Sequence, residues 1–166
     1  MNHLVISCIG PDKTGIVDSL STIISRHHGN WQVSSLHHLS GFFAGVIEVA
    51  VAQKDTKTLV ADLNKINGLT CQIEIAESTL EQVNSHLILE LTANDRAGIV
   101  QEISSVIHHQ GGNLIKLVSS QSSAPHTGQL MFKAKVQVEM KEDNLDDLVS
   151  ALEHIADDLM VDITTS

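Results

Sequence analysis

Hydrophobic positions along the chain keep two alternating rhythms. Leu4, Ile6 and Cys8 stand at every second place, as do Leu87, Leu89 and Leu91, the pattern of a strand with one face on a core. Each run gives way to helical spacing: Ile16, Val17, Leu20, Ile23 and Ile24, then Ile99, Val100, Ile103, Val106 and Ile107, form one apolar stripe per helix. Gly29 with Asn30, and Gly112 with Asn113, predict that these helices end in left-handed caps. Val46, Ile47, Val49 and Val51 in one half, and Val136 and Val138 in the other, then suit buried strands. A second helix is expected around Leu59, Leu63 and Ile66, and around Leu145, Leu148, Val149, Leu152 and Ile155. Short strands near 71–75 and 161–163 close the two halves. The order is βαββαβ, twice. It predicts an α+β, ferredoxin-like fold in which each antiparallel sheet carries its helices on one face.

The halves are copies. With an offset of 83, residues 4–33 lie over 87–116 without a gap, and nine of the 30 positions are identical. Average composition would give roughly two. The matches cluster at Asp12/Asp95, Gly15/Gly98, Ile16/Ile99, Val17/Val100, Ser21/Ser104, Ile24/Ile107, Gly29/Gly112 and Asn30/Asn113. Farther along the offset becomes 89, pairing Phe43 with Phe132 and Leu63 with Leu152, so the second half holds six extra residues. They fall in a Ser-rich loop expected over 119–128. This organisation predicts a first module over 1–77, a linker over 78–85 and a second module over 86–166.

After its first strand each half turns through Gly10-Pro11-Asp12-Lys13-Thr14-Gly15, or Ala93-Asn94-Asp95-Arg96-Ala97-Gly98, straight into a helix. A helix N-terminus offers free N–H groups and the positive end of a dipole, and a glycine there lets a ligand approach the backbone. An aspartate in the same turn can accept an ammonium group. Together these features suit a zwitterionic amino acid. The competing reading makes Asp12 and Asp95 simple helix caps, with the glycines easing the turn.

Charge narrows the choice of partners. Ten Lys and Arg against twenty Asp and Glu leave a formal charge of −10, so the chain lacks the positive field that attracts phosphate backbones. Trp31, Phe42, Phe43 and Phe132 are the only aromatic residues, too few to stack single strands or sugars. Direct nucleic-acid binding is not expected. No apolar run reaches membrane-spanning length and the N-terminus lacks the features of a signal peptide, so a cytoplasmic location and no membrane partner are expected. Residues 141–166 hold one lysine against eight acidic groups, either a solvated face or a docking surface for a basic partner.

Chemistry beyond binding finds no machinery. Six of the ten histidines occur as adjacent pairs, His27-His28, His37-His38 and His108-His109. Neighbours point about 100° apart on a helix and to opposite faces on a strand, so none of the three pairs presents two nitrogens to one ion. Cys8 and Cys71 sit on strands expected to be antiparallel neighbours, where close thiols are either buried and reduced or a redox pair. No nucleophile has a base beside it and no nucleotide fingerprint is present. Neither a catalytic residue, a metal nor a cofactor is expected.

The paired segments Asp12-Lys13-Thr14-Gly15-Ile16-Val17 with Gly29-Asn30, and Asp95-Arg96-Ala97-Gly98-Ile99-Val100 with Gly112-Asn113, resemble ACT domains, the βαββαβ modules that bind amino acids and regulate proteins. A two-module chain resembles the glycine cleavage system transcriptional repressor family across nearly its whole length. The resemblance implies a ligand where modules pair, between the turn after the first strand and the start of the second. By position it implies Asp12, Lys13, Gly15 and Asn30, and Asp95, Arg96, Gly98 and Asn113, as ligand-binding residues. It further implies glycine as the first ligand to try, a homo-oligomer, and a LysR-type DNA-binding regulator as protein partner. Thr14 and Ala97 stand where many ACT domains have proline, and Trp31 where a small aliphatic residue is usual, which implies a narrower first site. Similar modules also sit on amino-acid biosynthetic and formyl-tetrahydrofolate hydrolase enzymes, so a role as an enzyme's regulatory accessory is the alternative.

Overall fold

The computed structural model describes residues 1–77 and 86–165; the predicted linker, 78–85, and Ser166 lie outside the described residues. The chain divides into two compact units, Met1–Glu81 and Gln82–Ser166. In the first, β1 (Asn2–Pro11), α1 (Ile16–Arg26), β2 (Asn30–Leu39), β3 (Phe42–Val51), α2 (Gln53–Leu63) and β4 (Thr70–Glu77) follow in order. The second repeats them as β5 (His86–Asn94), α3 (Ile99–His109), β6 (Asn113–Ser123), β7 (Leu130–Glu139), α4 (Leu145–Glu153) and β8 (Met160–Thr165), with a single 3-10 turn before α4. The sheets run β2-β3-β1-β4 and β6-β7-β5-β8, every neighbouring pair antiparallel. The ferredoxin-like arrangement is therefore present twice.

Alternation builds each core. Leu4, Ile6 and Cys8 of β1 are buried together with Ile47, Val49 and Val51 of β3, Leu20 and Ile24 of α1, and Leu59 and Leu63 of α2. Leu87, Leu89 and Leu91 meet Val136, Val138, Ile103, Ile107, Leu148 and Leu152 in the same way. Each fully buried Leu or Ile contributes about 1.5–3 kcal/mol of transfer free energy, so either cluster suffices for a small domain. Val17, Val100 and Val46 depart from expectation: all three are exposed. Val17 and Val100 lie at the edge of their helical stripes, and Val46 is out of phase with its buried neighbours Ile47 and Val49.

The helix ends also differ from the prediction. His28 (φ 56°) and Gly111 (φ 78°) hold the left-handed position, one residue ahead of the expected glycines. Gly29 and Gly112 are instead needed for space. A Cβ on Gly29 would stand 2.9 Å from Ile24 Cγ2 and 3.1 Å from Val49 Cγ1, and one on Gly112 would stand 3.0 Å from both Ile107 Cγ2 and Val138 Cγ1. The conserved spacing of these glycines between the two modules thus records helix-on-sheet packing. Asn30 and Asn113 open β2 and β6 rather than cap a helix. The Ser-rich insertion is shorter as a loop than expected, because 119–123 continue β6 in register with β7 and only the segment around Gly128 turns.

Topology has one consequence for function. β1 and β2 are both antiparallel to β3, hence parallel to each other, and α1 is the crossover between them. The end of β1 and the start of β2 therefore lie at opposite ends of the sheet. Among the described residues no helix is long and apolar enough to cross a membrane.

Candidate functional site

The turn leaving β1 is fixed by backbone and side chain together. The Asp12 N–H donates to the Gly41 carbonyl at 3.0 Å, and its carboxylate takes a hydrogen bond from His38 Nδ1 at 2.7 Å. In the second module the Asp95 N–H donates to the Leu130 carbonyl at 2.9 Å, and its carboxylate accepts from Gln121 Nε2. His38 and Gln121 are equivalent under the offset of 83. Both modules therefore tie the turn aspartate to the far end of the second strand. Neither aspartate caps a helix: α1 and α3 begin after Gly15 and Gly98, both left-handed at φ 87°, with no side-chain cap. No side chain at the N-cap takes the first-turn N–H groups of either helix, and in α3 the Ile99 N–H reaches the Arg96 carbonyl at 3.4 Å.

The cationic residues of the two turns part company. Lys13 Nζ donates to the Asn67 carbonyl at 2.8 Å, pinning the loop before β4. Arg96 instead forks onto Glu102, Nη1 to Oε1 and Nη2 to Oε2 both at 2.7 Å. This hydrogen-bonded pair holds the Glu102 carboxyl below its ordinary value and raises the Arg96 guanidinium. Asp158 does what Lys13 does from the other side, accepting from the Asn94 N–H at 2.6 Å. Beside the first turn lies an open hollow of about 390 Å³, lined by Gly10, Pro11, Phe42 and residues 68–70. It is large enough for a small metabolite.

The structure does not gather all the predicted residues. Asp12, Lys13 and Gly15 share one end of their sheet with His38, while Asn30 pairs with Ala50 at the other. Eight residues of β2 separate Asn30 from His38, roughly 25 Å at the rise of a strand. Asp95, Arg96 and Gly98 are likewise separated from Asn113, which pairs with Glu139. No single amino acid touches both groups within one module. Trp31 also sits elsewhere than expected. It pairs with Val49 on the core side of β2 and packs against the hydrophobic cluster of its own module.

Several other polar groups have structural partners. His27 Nε2 bonds Asp62 Oδ2 at 2.8 Å, and Lys65 followed by His27 lowers the Asp62 carboxyl. His37 faces Ser35 while His38 turns to Asp12, and His109 Nδ1 donates to the Ser105 backbone carbonyl at 2.6 Å. Cys8 and Cys71 are direct cross-strand partners and both are free thiols. Burial pushes both upward, Cys71 to about 11, with the nearby Cys8 adding to it. Two core thiols held protonated are poor nucleophiles. Asp143, Asp146, Asp147, Glu153, Asp157 and Asp158 are all exposed.

Comparison with known proteins follows the same outline. The sequence profile of the ACT domain matches residues 2–75. A crystal structure of a protein of unknown function from Galdieria sulphuraria superposes with a TM-score of 0.83 at 23% identity, covering 100% of this chain and 99% of that one. A second, described as a candidate glycine cleavage system transcriptional repressor, gives 0.67 at 14% identity over 99% and 98% of the two chains. At such identities the likeness is one of fold. No curated protein matches the sequence closely enough to count as a relative. Residues 2–75 match the ACT domain in sequence, and the second half repeats the same ferredoxin-like fold.

Proposed function

We propose that the chain is an amino-acid-sensing regulator and not an enzyme, and that each module receives its ligand at the turn into its first helix. One observation carries this reading: α1 and α3 both start from a left-handed glycine with no side-chain cap, beside an aspartate anchored from the second strand. A ligand carboxylate would take the first-turn N–H groups and its ammonium would meet Asp12 or Asp95. Lys13 and Arg96 brace these turns. Asn30 and Asn113, at the other end of their own sheets, belong to this proposal only as residues that a second module would supply. Glycine is the first ligand to test, on the likeness in fold to a structure described as a candidate glycine cleavage system transcriptional repressor.

With a charge of −10 the chain is expected to act on transcription through a protein, and a LysR-type DNA-binding regulator of glycine cleavage genes is the partner to try first. Thermal shift and calorimetry against the twenty amino acids test the ligand. Saturation near a hundredfold excess over Kd stabilises by about 2.7 kcal/mol. Asp12→Ala and Asp95→Ala should each abolish part of the response, and no response to any amino acid would refute the reading. A gel shift in which the chain alone binds operator DNA would refute the indirect mechanism. Co-purification with a metabolic enzyme in place of a regulator would redirect it to the accessory role.

A further inference from the structure

The two sheets turn opposite kinds of surface away from their helices. On the first, Val5, Ile9, Val33, Leu39, Phe42 and Val46 all point outward and are between 47% and 63% exposed. Registers across β2, β3 and β1 place them on one face, interleaved with the small residues Ser7, Ser35 and Ala44. An antiparallel sheet covered on one side normally shows water a polar face on the other. The duplicated module comes nearer to this, with Val118 and Met160 exposed among charged and polar residues. Where the first has Ile9, Val33, Leu39, Ala44 and Val46, the second has Thr92, Lys116, Ser122, Lys133 and Lys135. One fold, copied, carries a solvated face in one copy and an apolar one in the other, and contiguous exposed apolar area of this kind marks an interaction surface.

We infer that this face of the first module is closed by the same face of a second copy of the chain. Its charge distribution favours that occupant. The face holds no lysine or arginine to meet an acidic partner, and its acids, Glu48 and Glu74, lie together towards one end, with Glu48 held by His3 at 2.9 Å. A two-fold axis across the strands places the acidic row of each copy near Ala44 and His37 of the other, instead of over its own acids, and sets Val46 against Val46 at the centre. Such a contact is self-complementary and closes at two subunits. The small residues let the sheets approach to about 10 Å. Four strands about 4.8 Å apart and about 30 Å long present roughly 550 Å², so two faces bury about 1,100 Å². That clears the roughly 1,000 Å² of a specific interface, at its weak end. The corresponding face of the second module, with Lys116, Lys133 and Lys135 beside Glu90 and Asp162, is charged and cannot make the same apolar contact with itself.

Sedimentation velocity of the full chain over a concentration series tests the inference, with circular dichroism confirming the fold of each variant. A reversible monomer–dimer equilibrium is expected. Val46→Lys and Ile9→Lys should each weaken dimerisation at least tenfold, and Lys135→Glu should leave it unchanged. Sulfate should strengthen an apolar contact, whereas an interface held by ion pairs would weaken as salt rises. Should Val46→Lys fail to fold, Val46→Thr, which suits an exposed strand, gives the same readout at smaller amplitude. A chain that stays monomeric throughout, with the face left to another protein, overturns the inference. So does a dimer indifferent to Val46→Lys and Ile9→Lys, or one weakened by Lys135→Glu.

Discussion

Gly10 and Ala93 occupy the same place on β1 and β5, yet their surroundings differ. A Cβ on Gly10 would stand 2.1 Å from the Gly68 carbonyl oxygen, so the loop before β4 closes directly over the strand. The corresponding loop of the second module, Ala156-Asp157-Asp158 against Asn67-Gly68, is one residue longer and accommodates the buried methyl of Ala93. The turns then use their loops differently. The first reaches across with Lys13; the second receives Asp158 on the Asn94 N–H and leaves Arg96 to Glu102. What duplication kept is the left-handed glycine and the anchored aspartate, and what it released is the bracing around them. The retained parts are those that face a ligand in the proposed reading.

The sharpest way to break this comparison is to exchange the small residues. Gly10→Ala forces the Gly68 backbone to move and should cost the first module about 1–3 kcal/mol. Ala93→Gly should cost the second only about 0.5–1 kcal/mol, through chain entropy. Urea unfolding resolved into the two modules measures both, and equal effects would show that the loops are not the cause. Next come the shared glycines. Gly15→Ala and Gly98→Ala meet open space but a left-handed backbone, so each should cost about 1–2 kcal/mol, alike in the two modules.

Acid should expose a smaller difference. The folded state lowers the Glu102 carboxyl, so its contribution is complete above the ordinary carboxylate range and is lost as pH falls through the lowered folded value. Asp62 behaves likewise in the first module. Glu102→Gln should flatten the acid limb of the second module's urea midpoint and leave the first untouched; the effect is small because the pair is exposed. The mildest contrast concerns the thiols, whose counterparts are Leu91 and Val161. With Cys71 pushed up to about 11, its alkylation by iodoacetamide should be slow at neutral pH and rise about tenfold per pH unit towards that value, while the first module loses stability as pH climbs from the ordinary thiol range through it.

Much of this was legible in the residues. Two periods of hydrophobicity and an ungapped repeat define the elements, their order and both cores, because burial acts on every second strand residue and every third or fourth helix residue. The helix ends depart from the sequence pattern for a physical reason: glycine serves both positive φ and close packing, and Gly29 and Gly112 do the second while His28 and Gly111 do the first. The separation of Asp12 from Asn30 was latent in the topology, since a strand–helix–strand crossover returns the chain to the end where it started. His38 and Gln121 are not legible in the sequence because their roles match while their identities do not. Their shared signal is position alone, eight residues into the second strand, where each reaches the aspartate of the turn.

Trp31 packs into the first core, and the chain has no other tryptophan and no tyrosine. Intrinsic ultraviolet fluorescence therefore reports on one half of the molecule and is silent on the other. An emission trace followed beside a whole-chain signal separates the two unfolding events with no label attached, so the asymmetry left by duplication doubles as an optical probe.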